Sequence, residues 1–337
     1  MKDRIMTITR RSLLLHAPIA AGILAAGLPS VARSQAASVK IRYLASRGSI
    51  SPHELADELG YFKGLGIELE NVGYVGGGPE SLFALASGSV DLGSAATPAV
   101  INSIAGGNDF VAAYPSNGIN KDVKSVFYVL EDSPIRSIAD IAGKTISVNT
   151  LGAHLDYTVR EALHSVGMPP DAAKLVVVPG PQLEQTLRSH QVDIAGLGYW
   201  QATFAGALVA NGGVRGVFND TEVLGEIAGG FVVLRRDFIA ANPDAARNFV
   251  EQSARASDWS RQNPDEARKV LANVLNKRGE NGELARYWTG FGLREKAAAT
   301  DRDIDFWVSI LERDGRLPKG KLKAADILYR PGETKTN

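Results

Sequence analysis

The chain has 337 residues, with 37 basic against 37 acidic side chains and no cysteine. That balance gives no basic footprint for nucleic acid or an anionic membrane, and the missing cysteine excludes disulfides, thiolate metal sites, thiol nucleophiles and a lipid-modified N-terminal cysteine. Without residues 1–37 the remaining 300 residues carry 32 basic and 36 acidic side chains, a net charge of −4, and they exceed what one core usually fills, so two lobes are expected.

Residues 1–37 read as an export signal. Lys2, Arg4, Arg10 and Arg11 form a basic start, Leu13 to Leu28 is an apolar run interrupted by His16 and Pro18, and Ser34-Gln35-Ala36 offers small residues for cleavage near residue 36. The run is shorter than the roughly 20 residues of a spanning helix, so a membrane anchor is the weaker reading. Thr9-Arg10-Arg11-Ser12-Leu13-Leu14 resembles a twin-arginine signal, which is an address and not an anchor. The alternative is an ordinary signal with two adjacent arginines. The mature chain is expected free in the periplasm.

From Ser38 strands and helices alternate. Val39, Ile41 and Tyr43 alternate with Lys40 and Arg42 as in a half-buried strand, and Leu55, Ala56 and Leu59 stand at helical spacing before Gly60. Ile67 and Leu69 mark a second strand. Gly76-Gly77-Gly78-Pro79 turns the chain into a helix whose apolar face is Leu82, Phe83, Leu85 and Ala86. A short strand at Asp91-Leu92-Gly93 leads to a helix start at Thr97-Pro98. After a boundary between Ser116 and Ser125 the pattern restarts: a strand at Lys144–Val148, a helix over 153–166 with Leu155, Val159, Leu163 and Val166 inward, a fully buried strand at Leu175–Val178, a helix from Gln182, and a strand at Val192–Leu197. Phe231–Leu234 is one more strand, and the rest reads as helical with Trp259, Trp288 and Trp307 as core anchors. Such repeated units imply parallel sheets covered by helices.

Catalytic patterns are missing: no phosphate loop, no Gly-x-Ser-x-Gly elbow, no His-Glu-x-x-His helix, and histidines that are widely spaced. No metal site and no cofactor are expected. Six loops instead end at helix starts: Ser46–Pro52, Gly76–Pro79, Ser94–Pro98, Thr150–His154, Pro179–Pro181 and Gly198–Gln201. In parallel α/β sheets these lie at the carboxyl ends of the strands, where free helix amides suit an anionic head group. Taken singly, Gly, Ser or Thr at such a place is usually only a cap.

Several blocks resemble the periplasmic substrate-binding proteins of sulfonate, taurine and nitrate importers. They are Leu59-Gly60-Tyr61-Phe62-Lys63-Gly64-Leu65-Gly66-Ile67-Glu68-Leu69, the run from Gly78 to Ser94, Ser133 to Lys144, Leu187 to Ala195, and the helix starts Asn242-Pro243-Asp244 and Asn263-Pro264-Asp265. The resemblance implies a two-lobed α/β periplasmic binding fold of type II, with a hinge of two crossings. Lobe 1 would be 38–120 with 228–337, and lobe 2 would be 121–227. It implies a non-enzymatic, monomeric binder that passes a small anionic organic solute of sulfonate type to an ABC permease and its ATPase in the inner membrane. It carries ligand contacts onto Arg47, Ser49 and Ser51, onto Gly77 and Gly78, onto Ser94 and Thr97, onto Thr150, Ala153 and His154, and onto the aromatic pair Tyr199 and Trp200. Arg47 or His154 would add charge to the amide hydrogen bonds.

The family commonly has Trp-Asp-Pro where this chain has Tyr199-Trp200-Gln201, and Ala95-Ala96-Thr97-Pro98 is a plainer loop than many sulfonate binders have. Tyr199 and Trp200 also read as core packing, and His154 as a helix-start residue. Thiamine precursors, flavins and aromatic acids therefore stay open as ligands, as does a sensory role. An enzyme on this scaffold is the less favoured reading.

Overall fold

A computed structural model describes residues 38–330; the expected export signal lies outside them. Among the described residues ten strands form three sheets. In the first, β1 (Val39–Ala45) pairs in parallel with β2 (Ile67–Tyr74). In the second, β10 (Ile227–Arg235) lies between β3 (Leu92–Ala96) and β4 (Phe110–Ile119), antiparallel to both. The third has the order β7 (Lys174–Val177), β6 (Thr145–Val148), β8 (Ile194–Leu197), β5 (Val126–Leu130), β9 (Val214–Asn219). The chain passes from the second sheet to the third between Ile119 and Val126, and returns between Asn219 and Ile227.

The helices follow the strands: α1 (Pro52–Glu58), α2 (Gly78–Ala86), α3 (Thr97–Ala105), α4 (His154–Ser165), α5 (Leu183–Arg188), α6 (Ala202–Ala210) and α7 (Asp220–Leu224). Beyond β10 come α8 (Arg236–Ala241), α9 (Pro243–Gln262), α10 (Pro264–Lys277), α11 (Asp301–Arg313) and α12 (Ala324–Ile327). Of the expected anchors, Trp288 and Trp307 are buried and Trp259 is partly so. Among the described residues no helix is long and apolar enough to cross a membrane.

Several sequence expectations change. The sheets are mixed and not purely parallel, because β10 and β5 run against their neighbours. Strands β4, β5 and β9 were not anticipated. Val177 is 55% exposed because β7 is an edge strand and not a central one. Phe83 is 75% exposed: α2 buries Leu82 and Leu85, and Phe83 falls outside that stripe. Val166 is also exposed, since α4 ends before it.

One device appears in both halves. At the end of α2 the Gly88 N–H donates to Leu85 and the Ser89 N–H to Ala84, and Asp91 then accepts from the Arg42 amide of β1 at 2.9 Å while its own N–H donates to Arg42 O. At the end of α5 the His190 N–H donates to Leu187 and the Gln191 N–H to Thr186. There Asp193 accepts from the Thr145 amide of β6 at 2.8 Å and donates back to Thr145 O. Each aspartate thus stitches its own strand onto the next one and closes a helix-to-strand turn. The first turn has Gly88 at φ +74°, whereas the second places His190 at φ +56°. A side chain is strained in that region, and only glycine occupies it freely. Gly88→Ala, whose new methyl meets nothing within 4 Å, should therefore lower stability by about 1 kcal/mol, and His190→Gly should raise it by up to about 1 kcal/mol. Urea titrations of the two variants check this; losses of equal size in both would contradict it.

Candidate functional site

A cleft is walled by the loop before α1, the Gly76–Gly78 turn, the end of β3, Ser116 and Asn117 of β4, and Asn149, Ala153, Tyr199 and Trp200 from the half built on the third sheet. It is open on one side and has a volume of about 110 Å³. The buried Thr203 hydroxyl of α6 donates to Gly48 O at 2.7 Å and ties α6 to the loop before α1.

The amide donors come from helix starts. Helices α2, α3 and α4 begin at Gly77, Ala96 and Ala153, and none of these three N-caps has a side chain that can cap the helix. Gly77, Gly78, Ala96 and Ala153 all line the cleft. Three helix starts without an N-cap side chain therefore border one space, and at two of them a first-turn carboxylate accepts from the preceding backbone, Glu80 from the Gly76 amide at 2.9 Å and Asp156 from the Gly152 amide at 2.7 Å. Among the described residues no lysine or arginine lines it.

The floor is a chain of hydrogen bonds. Arg278 forms an ion pair with Glu54, both nearly sealed from solvent, and donates to Ser49 O at 3.0 Å. The other Glu54 oxygen accepts from the Ser51 hydroxyl at 2.9 Å and the Ser51 amide at 2.7 Å. His53 Nε2 lies 2.9 Å from Ser51 Oγ, and Nδ1 lies 2.9 Å from the Tyr114 hydroxyl. Since the Ser51 proton goes to Glu54, the network assigns the proton to Nε2, which donates to Ser51, while Tyr114 donates to Nδ1. Burial holds the His53 imidazole down to about 4 from an ordinary 6.5, with Glu54 opposing the shift and Arg278 adding to it. Among the described residues the only charged side chain in the lining at neutral pH is thus Glu54, already paired with Arg278.

The structure brings eight of the twelve predicted residues into the lining: Ser49, Ser51, Gly77, Gly78, Ser94, Ala153, Tyr199 and Trp200. Ser51 is also the cap of α1, in a reciprocal box with Glu54, so its hydroxyl proton is not free for a ligand. The other four are placed elsewhere. The Arg47 side chain is exposed and stacks over Tyr74 at 4.1 Å. The Thr97 hydroxyl is buried and donates to Ala228 O. Thr150 is outside the lining, its methyl 3.0 Å from where a side chain on Gly77 would begin. His154 is fully buried, with Nε2 2.8 Å from the equally buried Asp220 carboxylate; it is packed behind Tyr199, ring centroids 5.0 Å apart. The charge expected from Arg47 or His154 is thus not delivered to the cleft. Tyr199 is fully packed, and burial followed by the Asp220 carboxylate pushes its phenol up.

Sequence reasoning missed His53, Glu54, Asn149, Ser116 and Asn117. Ser51-x-x-Glu54 is a capping-box pattern that could have flagged Glu54. Nothing local marks Arg278 as its partner. Among the described residues no group of three or more His, Cys, Asp or Glu side chains could hold a metal ion.

A family model described as NMT1/THI5 like matches residues 49–267. A Brucella abortus (strain 2308) protein described as a binding protein is 26% identical over 301 residues, covering 88% of this chain and 90% of that protein. The alkanesulfonate-binding protein of Xanthomonas axonopodis pv. citri, solved bound to MOPS, superposes with a TM-score of 0.69 at 20% identity, over 88% of this chain and 99% of that one. The periplasmic aliphatic sulphonate binding protein of Escherichia coli gives a TM-score of 0.67 at 17% identity, over 88% and 94%. The architecture is the two-lobed periplasmic binding protein fold.

The neutral state of His53 has a consequence for stability. The unfolded chain takes up the proton near pH 6.5, and the folded chain only near pH 4. The stabilisation is therefore complete above pH 6.5 and is lost as pH falls from 6.5 to 4, by about 3 kcal/mol in total. Denaturant titrations at pH 7 and pH 4 should show His53→Gln losing less stability over that interval than the parent. Equal losses would contradict a buried neutral histidine.

Proposed function

This chain belongs to the NMT1/THI5-like family, and on that premise we propose that it is the solute-binding component of an ABC importer that takes a small sulfonate-type anion. Residues 1–37 direct export by the twin-arginine route and are removed near residue 36. The lobes are 38–120 with 228–337, and 121–227. The ligand sits between them and favours the closed form, because only that form touches it from both sides. The closed protein then docks on the permease and does no chemistry on the ligand.

The observation that carries this reading is the meeting of three helix starts without an N-cap side chain in one cleft. A tetrahedral anionic head accepts from several amides at once, and such charge-assisted bonds do not need a facing cation. The Ser49 and Ser94 hydroxyls and the Trp200 ring line the same space. The likeness to proteins described as binding alkanesulfonates supports the choice of head group.

The test is a thermal-shift screen of residues 38–337 against short sulfonates, taurine, nitrate, aromatic acids, thiamine precursors and flavins. A ligand that binds only the native state, at a hundred times its dissociation constant, adds about 2.7 kcal/mol. Stabilisation by sulfonates is the expected result. Stabilisation by uncharged or aromatic compounds alone would overturn the anion assignment.

A further inference from the structure

At three places where the half built on the third sheet touches the rest of the protein, one side of the contact is a glycine. Gly77, the N-cap of α2, faces Thr150 from the loop before α4, and a Cβ at Gly77 would lie 3.0 Å from the Thr150 methyl. Gly48 faces α6: a Cβ there would lie 2.6 Å from the Phe204 ring, and the Gly48 carbonyl accepts from the Thr203 hydroxyl. Gly206 of α6 rests on Tyr287, at the end of the 3-10 turn Gly282–Tyr287, and a Cβ there would overlap both the Cβ and the ring of Tyr287. The Gly48 amide donates to Glu280 at 2.6 Å, which ties the Gly48 loop to the segment that carries Tyr287. Backbone conformation does not call for glycine at two of the three positions. Gly77 is extended, with φ −169°. Gly206 lies in the middle of the nine residues of α6, where glycine is a poorer helix former than alanine. What both positions share is an opposing surface too close to admit a Cβ.

We propose that Gly77 and Gly206, with Gly48, form a seam that sets how far the two lobes close. This rests on the lobe boundaries proposed above. Close-packed groups do not interpenetrate, so a side chain added at the seam is accommodated by moving one body away from the other. The crossings at 119–126 and 219–227 are where such a rotation is absorbed. Gly206 stands outside the cleft lining, so a wedge there opens the cleft without touching any group that faces a ligand. Since a ligand between the lobes is held from both sides only when they are closed, the seam sets how much of its affinity closure supplies.

The chain has no cysteine, so nitroxide labels can be placed on introduced cysteines alone, and pulsed electron–electron distance measurements on residues 38–337 test the proposal. Gln185→Cys on α5 with Lys269→Cys on α10 reports between the lobes; both positions are exposed. Gln185→Cys with Asp132→Cys reports within one lobe, and Lys63→Cys with Lys269→Cys within the other, again at exposed positions. Gly206→Leu should shift the between-lobe distribution to longer distances and leave both within-lobe pairs unchanged. Gly206→Ala, which favours the helix, should shift it the same way by less, and it carries the test where Gly206→Leu does not fold. Adding Tyr287→Gly, which vacates the opposing space, should return the distribution towards the parent's. A between-lobe distance unmoved by Gly206→Ala and Gly206→Leu, or a shift that Tyr287→Gly does not reverse, overturns the seam while leaving the lobe boundaries intact. A change in either within-lobe pair overturns the boundaries themselves and the seam with them.

Discussion

The cleft floor depends on burying charge and imidazole without leaving any of their protons or lone pairs stranded. Arg278 and Glu54 come from elements 224 residues apart in sequence, and their ion pair anchors the loop before α1 through Ser49 O and the Ser51 cap. Removing one member of such a pair leaves an uncompensated buried charge, which is far more damaging than the pair's net stabilising worth. From Glu54 the order of donors and acceptors passes through Ser51 and His53 to Tyr114, which fixes the tautomer, while burial keeps His53 neutral. Everything above this floor can then act through dipoles alone.

That arrangement explains why the cleft has no lining cation. A lysine or arginine facing the same space would need its own partners whenever the cleft is empty, whereas helix-start amides are solvated by water and exchanged for ligand at little reorganisation. The aromatic side chains serve a different purpose. Tyr199 packs against buried His154, and His154 is fixed by Asp220, which also accepts from the Ser125 amide at 3.0 Å. Ser125 and Asp220 lie where the chain enters and leaves the third sheet, so this cluster ties both crossings to the wall of the cleft.

Much of the fold was legible in the sequence. Alternation in β1 and β2, and the helix starts at Pro79, Pro98, Pro243 and Pro264, are local signals with local causes. Strand β4 escaped because Pro115-Ser116-Asn117-Gly118 has the composition of a turn; it is a bulged strand paired to β10, a partner more than a hundred residues away. Burial of β7 was overestimated because an apolar run does not reveal whether a strand is central or at an edge. The repeated turn at Asp91 and Asp193 was present in the quoted blocks, yet His190 in the glycine position disguised the match. In the site, the residues supplied by backbone and loop position were readable. Arg47 and His154 were assigned charge-bearing roles from residue type, but their partners Tyr74 and Asp220 are set by tertiary packing.

The most direct test of the account is a crystal structure of residues 38–337 grown with a short alkylsulfonate. The account predicts the sulfonate oxygens within hydrogen-bond distance of the Gly77 or Gly78 amides and of the start of α4, with no lysine or arginine side chain touching them. A sulfonate held by a cationic side chain, or bound away from these helix starts, would contradict it.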